Sequence, residues 1–164
     1  MITAHKIQLD PNNAQRTYFA KASGVARFAY NWALVEWGTQ YEFWKQDNTS
    51  PKPSQAALRR KLNASKSTRY PWMLEVTKCA PQLAIVQLGK AFQNFFAGRA
   101  KYPKFRRKGV RDRFSISNDQ FKVKGDKIQV PNLGWVRMRE SLRFEGKILS
   151  ATISRIADSR NLTL

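Results

Sequence analysis

The stretch 98–113 is where this sequence concentrates side chains able to do chemistry. Arg99, Lys101, Lys104, Arg106, Arg107, Lys108, Arg111 and Arg113 fall inside it, opposed only by Asp112. Arginine presents a planar fork that matches two phosphate oxygens, and lysine supplies a mobile point charge. Tyr102 and Phe105 interleave with these cations and offer flat faces for bases to stack on. The pattern reads as a phosphate track. Its bland counterpart is a solvated charged loop.

Hydrolytic chemistry finds no comparable support. Metal-dependent phosphodiester cleavage needs clustered carboxylates to hold divalent cations. The acidic residues are Asp10, Glu36, Glu42, Asp47, Glu75, Asp112, Asp119, Asp126, Glu140, Glu145 and Asp158, scattered along the chain. No glycine-rich phosphate loop ending in Lys-Ser or Lys-Thr occurs. His5, the single histidine, lies in a stretch that reads as a strand, and a solvent-facing position is expected for it. A Ser-His-Asp site is therefore not expected. Cys79 is the single cysteine, which excludes an internal disulfide and any zinc site needing two cysteines. A reducing, intracellular setting fits. The residues point to binding, with no cofactor and no metal.

The whole chain repeats the local message. Its 164 residues carry 30 Lys and Arg against 11 Asp and Glu, a formal net charge of +19. That charge repels itself unless a polyanion neutralises it. Nucleic acid is the leading partner, with a membrane surface and acidic protein as the other polyanions. No apolar run approaches the length of a membrane span. Hydrophobic residues make up 42% and aromatics 12%, enough for a packed core rather than a disordered polycation.

The elements that must position these residues divide by periodicity. Residues 1–10 alternate as a strand. Asp10-Pro11 reads as a helix start, with Gly24 breaking that helix and a second one beginning near Val25. Val25, Phe28, Trp32 and Val35 form its apolar stripe. The pair is a loose helix-turn-helix. Asp47 to Pro53 reads as a linker, Ser54 as the cap of a short helix bearing Leu58 and Leu62, and Tyr70-Pro71-Trp72 as its end. A last helix starts near Thr77, tolerates Pro81 in its first turn, and buries Ile85, Leu88, Phe92 and Phe95. Gly98 ends it and Pro103 keeps the basic stretch extended. Residues 114–156 switch to strands, with turns at Gly125-Asp126 and Pro131-Asn132-Leu133-Gly134. The first strand is expected to pair with the late ones.

Six segments in order resemble the TnpB/OrfB family of insertion-sequence proteins, relatives of the type V CRISPR effectors. They are His5 to Pro11, Ala26 to Leu34, Tyr70 to Gln82, Ala91 to Phe96 with Lys101 to Lys108, Pro131 to Val136, and Gly146 to Arg155. The resemblance implies an α+β architecture. A small oligonucleotide-binding-type β-barrel, the wedge domain, is formed by 1–10 and 105–156, and a helical recognition domain is inserted at 11–104. Residues 157–164 depart from the family as a divergent tail. The family's RuvC nuclease, with its three acids, and its zinc ribbon have no counterpart in this sequence.

By the same resemblance, Lys78, Gln82, Ser117 and Asn118 match positions that contact target-adjacent DNA, and amides such as Gln82 and Asn118 suit an adenine edge. Arg27, with the connector's cations, is expected on RNA or phosphate. A structural hydrogen-bonding role for Arg27 and Asn31 is the competing reading. The expected partners are a guide (omega) RNA, target DNA and a possible separate nuclease-bearing chain, in a cytoplasmic, nucleoid-associated setting and away from membranes. The chain by itself is expected not to be an enzyme. The alternatives are one half of a split RNA-guided DNA endonuclease and a general basic RNA-binding protein.

Overall fold

A computed structural model of the chain describes residues 2–156 and 159–163. The class is α+β. Strand β1 (Lys6–Asp10) opens the chain, helices α1 (Asn13–Gln46), α2 (Gln55–Arg69) and α3 (Cys79–Phe96) follow, and the remaining strands come last. These are β2 (Arg113–Ser117), β3 (Lys122–Lys124), β4 (Lys127–Val130), β5 (Gly134–Met138), β6 (Ser150–Ile156) and β7 (Ser159–Thr163).

Helix α1 begins later than expected. Asp10 stays in β1, and Asn12 caps instead, its Oδ1 accepting from the Gln15 amide at 2.8 Å. The Gln15 side chain returns a bond to the Asn12 amide at 2.9 Å, a reciprocal box that satisfies two orphan donors. The break expected at Gly24 is absent, and α1 runs unbroken to Gln46. A glycine inside a helix costs roughly 1 kcal/mol relative to alanine. Burial of Tyr18, Phe19, Val25, Tyr30, Leu34 and Trp37 along the same helix outweighs that several times over.

The buried face of α1 keeps most of the expected stripe, with Val25 in the core and Phe28 and Trp32 packed against it, and is wider than that stripe. Ala22, Ala26, Ala29 and Ala33 lie in the core, while Val35 is exposed. Small side chains let α1 and α3 approach closely, and Trp37 then stacks on Phe92 with centroids 4.6 Å apart. Ser54 caps α2 as expected, accepting from the Ala57 amide at 3.2 Å. Pro71 opens a short 3-10 turn (Pro71–Glu75). Pro81 sits in the first turn of α3, where no intrahelical N–H is needed.

The strands form one antiparallel sheet in the order β2-β6-β7-β1-β5-β4-β3. The first strand does join the late ones. Its Lys6–Gln8 stretch pairs with β7, and Leu9–Asp10 with β5. Closure into the expected barrel does not occur among the described residues, because β2 and β3 remain unpaired edges. β3 is only three residues long, and β2 packs against α3 instead. Of the expected tail, Ala157, Asp158 and Leu164 lie outside the described residues, and 159–163 form β7.

Helices and sheet share one core, from Ile7 and Leu9 through Phe19, Leu88 and Phe92 to Phe114, Ile116 and Val136. Tyr18 ties its parts together. Its hydroxyl donates to the Pro131 carbonyl at 2.8 Å and accepts from the Thr77 amide at 2.9 Å. Burial raises the Tyr18 pKa, so it remains a donor through the physiological range. His5 is not solvent-facing. It is buried just before β1, edge-on to Phe144, with a ring nitrogen 3.8 Å from Glu140.

Candidate nucleic-acid interface

The basic connector is held at two points. Asn31, on α1, clamps the main chain of Arg106. Its Nδ2 donates to the Arg106 carbonyl at 3.0 Å, and its Oδ1 accepts the Arg106 amide at 2.8 Å. Asp112 makes the second fastening. Its carboxylate accepts from Arg27 Nη1 at 3.3 Å and from the Gly109 amide at 3.1 Å, while its carbonyl accepts the Arg155 amide at 2.9 Å.

These fastenings give two of the expected phosphate ligands partners within the chain. Arg106 lies over the Tyr30 ring at 3.8 Å and donates to Gln87 Oε1 at 3.0 Å. Gln87 passes the bond to Ser115, and Ser115 meets Thr152 at 3.0 Å, so a polar chain runs from connector to sheet. Burial, with Arg113 nearby, pulls the Arg106 pKa down to about 10, which leaves it charged at neutral pH. Arg27 is paired with Asp112 and half-buried. Both residues hold the connector in place. The structural reading of Asn31 is likewise the one its hydrogen bonds support.

The other connector cations point elsewhere. Arg99, Lys101, Lys104, Arg107, Lys108 and Arg111 are exposed, and none makes an ion pair among the described residues. Arg113 is half-buried at the start of β2. Beside them runs an open groove of about 950 Å³ between α1 and the connector, lined by Gly38, Thr39, Tyr102, Lys104, Phe105 and Arg107 among others. Tyr102 is 48% exposed and Phe105 59%, so each keeps a face open for stacking. Tyr102 is braced edge-on by Phe92 and Phe95, both with centroids at 5.3 Å. Gly38 forms the floor, since a Cβ there would meet the Tyr102 hydroxyl at 3.4 Å. Cations beside braced aromatic rings suit a single strand, with phosphates on the charges and bases on the rings.

A second basic zone lies where α3 begins. Lys78 and Gln82 are one turn apart at its start. Ser117 approaches from the end of β2, with its Oγ 3.5 Å from the Cys79 sulfur and donating to Asp119 at 2.8 Å. The bonds from Ser117 and Gln120 hold the Asp119 carboxyl below its usual range, and Lys78 adds to this. The fold thus brings Lys78 beside the turn that follows Ser117, and Asn118 stands exposed on that turn.

Lys66 joins this zone and was not expected. It is 9% exposed, has no ion pair or side-chain hydrogen bond among the described residues, and lines a 320 Å³ pocket with Lys78, Gln120 and Asn132. Burial lowers its pKa, and the charge of Lys78 lowers it further. A pocket that holds two lysines favours an anion. The available signal was spacing, because Lys66 continues the Leu58, Leu62 step of four and so had to face inward.

Among the described residues no three His, Cys, Asp or Glu side chains converge on a metal-sized space. Among the described residues, too, no helix is long and apolar enough to cross a membrane. Residues 1–45, covering β1 and nearly all of α1, match the helix-turn-helix domain of OrfB/IS605 proteins. In that stretch the structure has one strand and one unbroken helix.

Similarity to curated proteins extends past that domain. Over 158 residues, 94% of this chain, it is 27% identical to a protein of Escherichia coli K12 named "Putative RNA-guided DNA endonuclease InsQ". Over 103 residues, 63% of the chain, it is 33% identical to a Streptomyces pristinaespiralis protein named "Putative RNA-guided DNA endonuclease". The matched segments span 38% and 25% of those relatives. The resemblance to the TnpB/OrfB family therefore runs through helices, connector and sheet, in one order, over nearly all of this chain.

Proposed function

We propose that this OrfB-type chain is the nucleic-acid grip of an RNA-guided DNA-targeting assembly, holding guide RNA and target-adjacent DNA. In this reading 1–10 and 105–156 act as the wedge and 11–104 as the recognition domain. Lys78, Gln82, Ser117 and Asn118 read base edges, and Arg99, Lys101, Lys104, Arg107, Lys108 and Arg111 follow phosphates. The acids that would cut DNA come from outside the residues described, in other parts of the assembly or in a separate chain. One observation carries the reading above all: exposed cations, without ion pairs among the described residues, stand beside the open faces of Tyr102 and Phe105 on a fastened connector.

The test is filter binding of RNA and DNA across a salt series. Log affinity should fall linearly with log salt, with a slope of about 0.7 per neutralised single-strand phosphate. Replacing Lys101, Lys104 and Arg107 together by glutamate should abolish most of that affinity while the fold, checked by circular dichroism, persists. A flat salt response in the parent protein would contradict the grip. Sequencing of co-purified RNA separates the readings further: a single transposon-end transcript supports a guide, and bulk ribosomal RNA supports a general RNA-binding protein.

A further inference from the structure

A small cavity of about 120 Å³ lies between α1, the end of the connector and β6. Arg16 and Arg27 reach it from α1, Lys108 from the connector and Arg155 from β6. Asp112 is the one carboxylate among its lining residues, and it is already occupied by Arg27 and the Gly109 amide. Arg16, Lys108 and Arg155 have no ion pair and no side-chain hydrogen bond among the described residues. Phe19 and Ile153 supply an apolar wall, and Ser23 a hydroxyl.

Three positive side chains, each solvent-exposed and without an ion pair among the described residues, border one small space, and like charges so placed repel one another. A bound anion converts the repulsion into attraction. Two arginine forks and a lysine suit an oxyanion with several oxygens spread tetrahedrally, and they match phosphate better than a flat carboxylate. We propose that this cavity seats one phosphate of the bound polynucleotide. The inference rests on the grip reading and sharpens it. It makes Arg16 and Arg155 ligands although neither belongs to the connector. It also gives the seat a mechanical effect, because Lys108 and Asp112 are connector residues. A phosphate held between them and β6 draws the connector onto the sheet.

The experiment uses the full chain and the double substitution Arg16→Gln with Arg155→Gln. Neither side chain takes part in the Asn31 or Asp112 fastenings. Affinity for one single-stranded oligonucleotide is measured against salt, with a 5′-phosphate and with a 5′-hydroxyl. The folded double variant should show a log–log salt slope shallower by about 0.7, the contribution of one single-strand phosphate. Arg155→Gln alone, at an exposed strand position, should shift the slope the same way and covers the case in which the double variant folds poorly. Equal weakening for both oligonucleotides identifies an internal phosphodiester, and weakening confined to the phosphorylated one identifies a chain end. Unchanged slopes in folded variants, with the parent still binding, would overturn the seat and leave the grip intact. A parent protein that binds neither oligonucleotide overturns both.

Discussion

Replacing Asn31 by alanine tests how the connector is held. The side chain makes two hydrogen bonds to the main chain of Arg106, at 3.0 Å and 2.8 Å, in a half-buried setting. Each such bond contributes about 1 kcal/mol net, and alanine leaves both Arg106 backbone groups without a partner. The loss is about 2 kcal/mol, which for a chain of this size lowers the melting temperature by about 4–8 °C. The damage should not stop at stability. Without the clamp, Arg106 loses its fixed seat over Tyr30 and against Gln87, and the exposed cations on either side lose their alignment with the groove. Nucleic-acid affinity should fall although no contacting cation has been removed. Asn31→Asp is an informative partner, since it still accepts the Arg106 amide but cannot donate to the carbonyl, and should fall between parent and alanine. Calorimetric melting and filter binding on the same preparations provide the readout. An Asn31→Ala protein that melts and binds like the parent would refute the clamp.

Two further substitutions probe features that ran against sequence expectation. Gly24→Ala should raise stability by about 0.5–1 kcal/mol, because the residue is helical and an added Cβ would meet only Arg27 Nη2, at 3.6 Å; destabilisation on melting would restore a turn there. Lys66→Met should stabilise the fold at pH 7 by on the order of 1 kcal/mol, since a buried unpaired charge is removed, and should weaken DNA binding at the same time. The folded pKa of Lys66 lies below its unfolded value, so the burial penalty is complete below the folded pKa and fades as pH rises through it towards 10.5. The stability gap between parent and variant should accordingly narrow as pH rises through that window, and a gap independent of pH would refute the assignment.

Much of the scaffold was legible because its signals are local. Ser54 and Pro71 bound α2, Pro81 marks the first turn of α3, and Gly125-Asp126 turns the β3–β4 hairpin, each through backbone chemistry a few residues long. The same locality explains the misreadings. Asp10-Pro11 outshone Asn12 because the reciprocal bond from Gln15 depends on where the helix starts. Gly24 read as a break because the penalty is local while the burial that offsets it comes from α3 and the sheet. The apolar stripe of α1 accounts for only part of its buried face, because the value of Ala22, Ala26, Ala29 and Ala33 lies in how closely a partner helix can approach.

Charge and composition belong to the sequence alone. A surplus of 19 positive charges favours a polyanionic partner whatever shape the chain adopts, and the ordered motifs resemble those of one family of nucleic-acid proteins. Which cations remain available was decided only by tertiary structure. Folding withdrew Arg106 and Arg27 by giving them Tyr30, Gln87 and Asp112, and it placed Lys66, Arg16 and Arg155 around anion-sized spaces although they lie far apart in the chain. The physical reason is that a charge acts through distance and solvent exposure, and both are properties of the folded chain rather than of residue order.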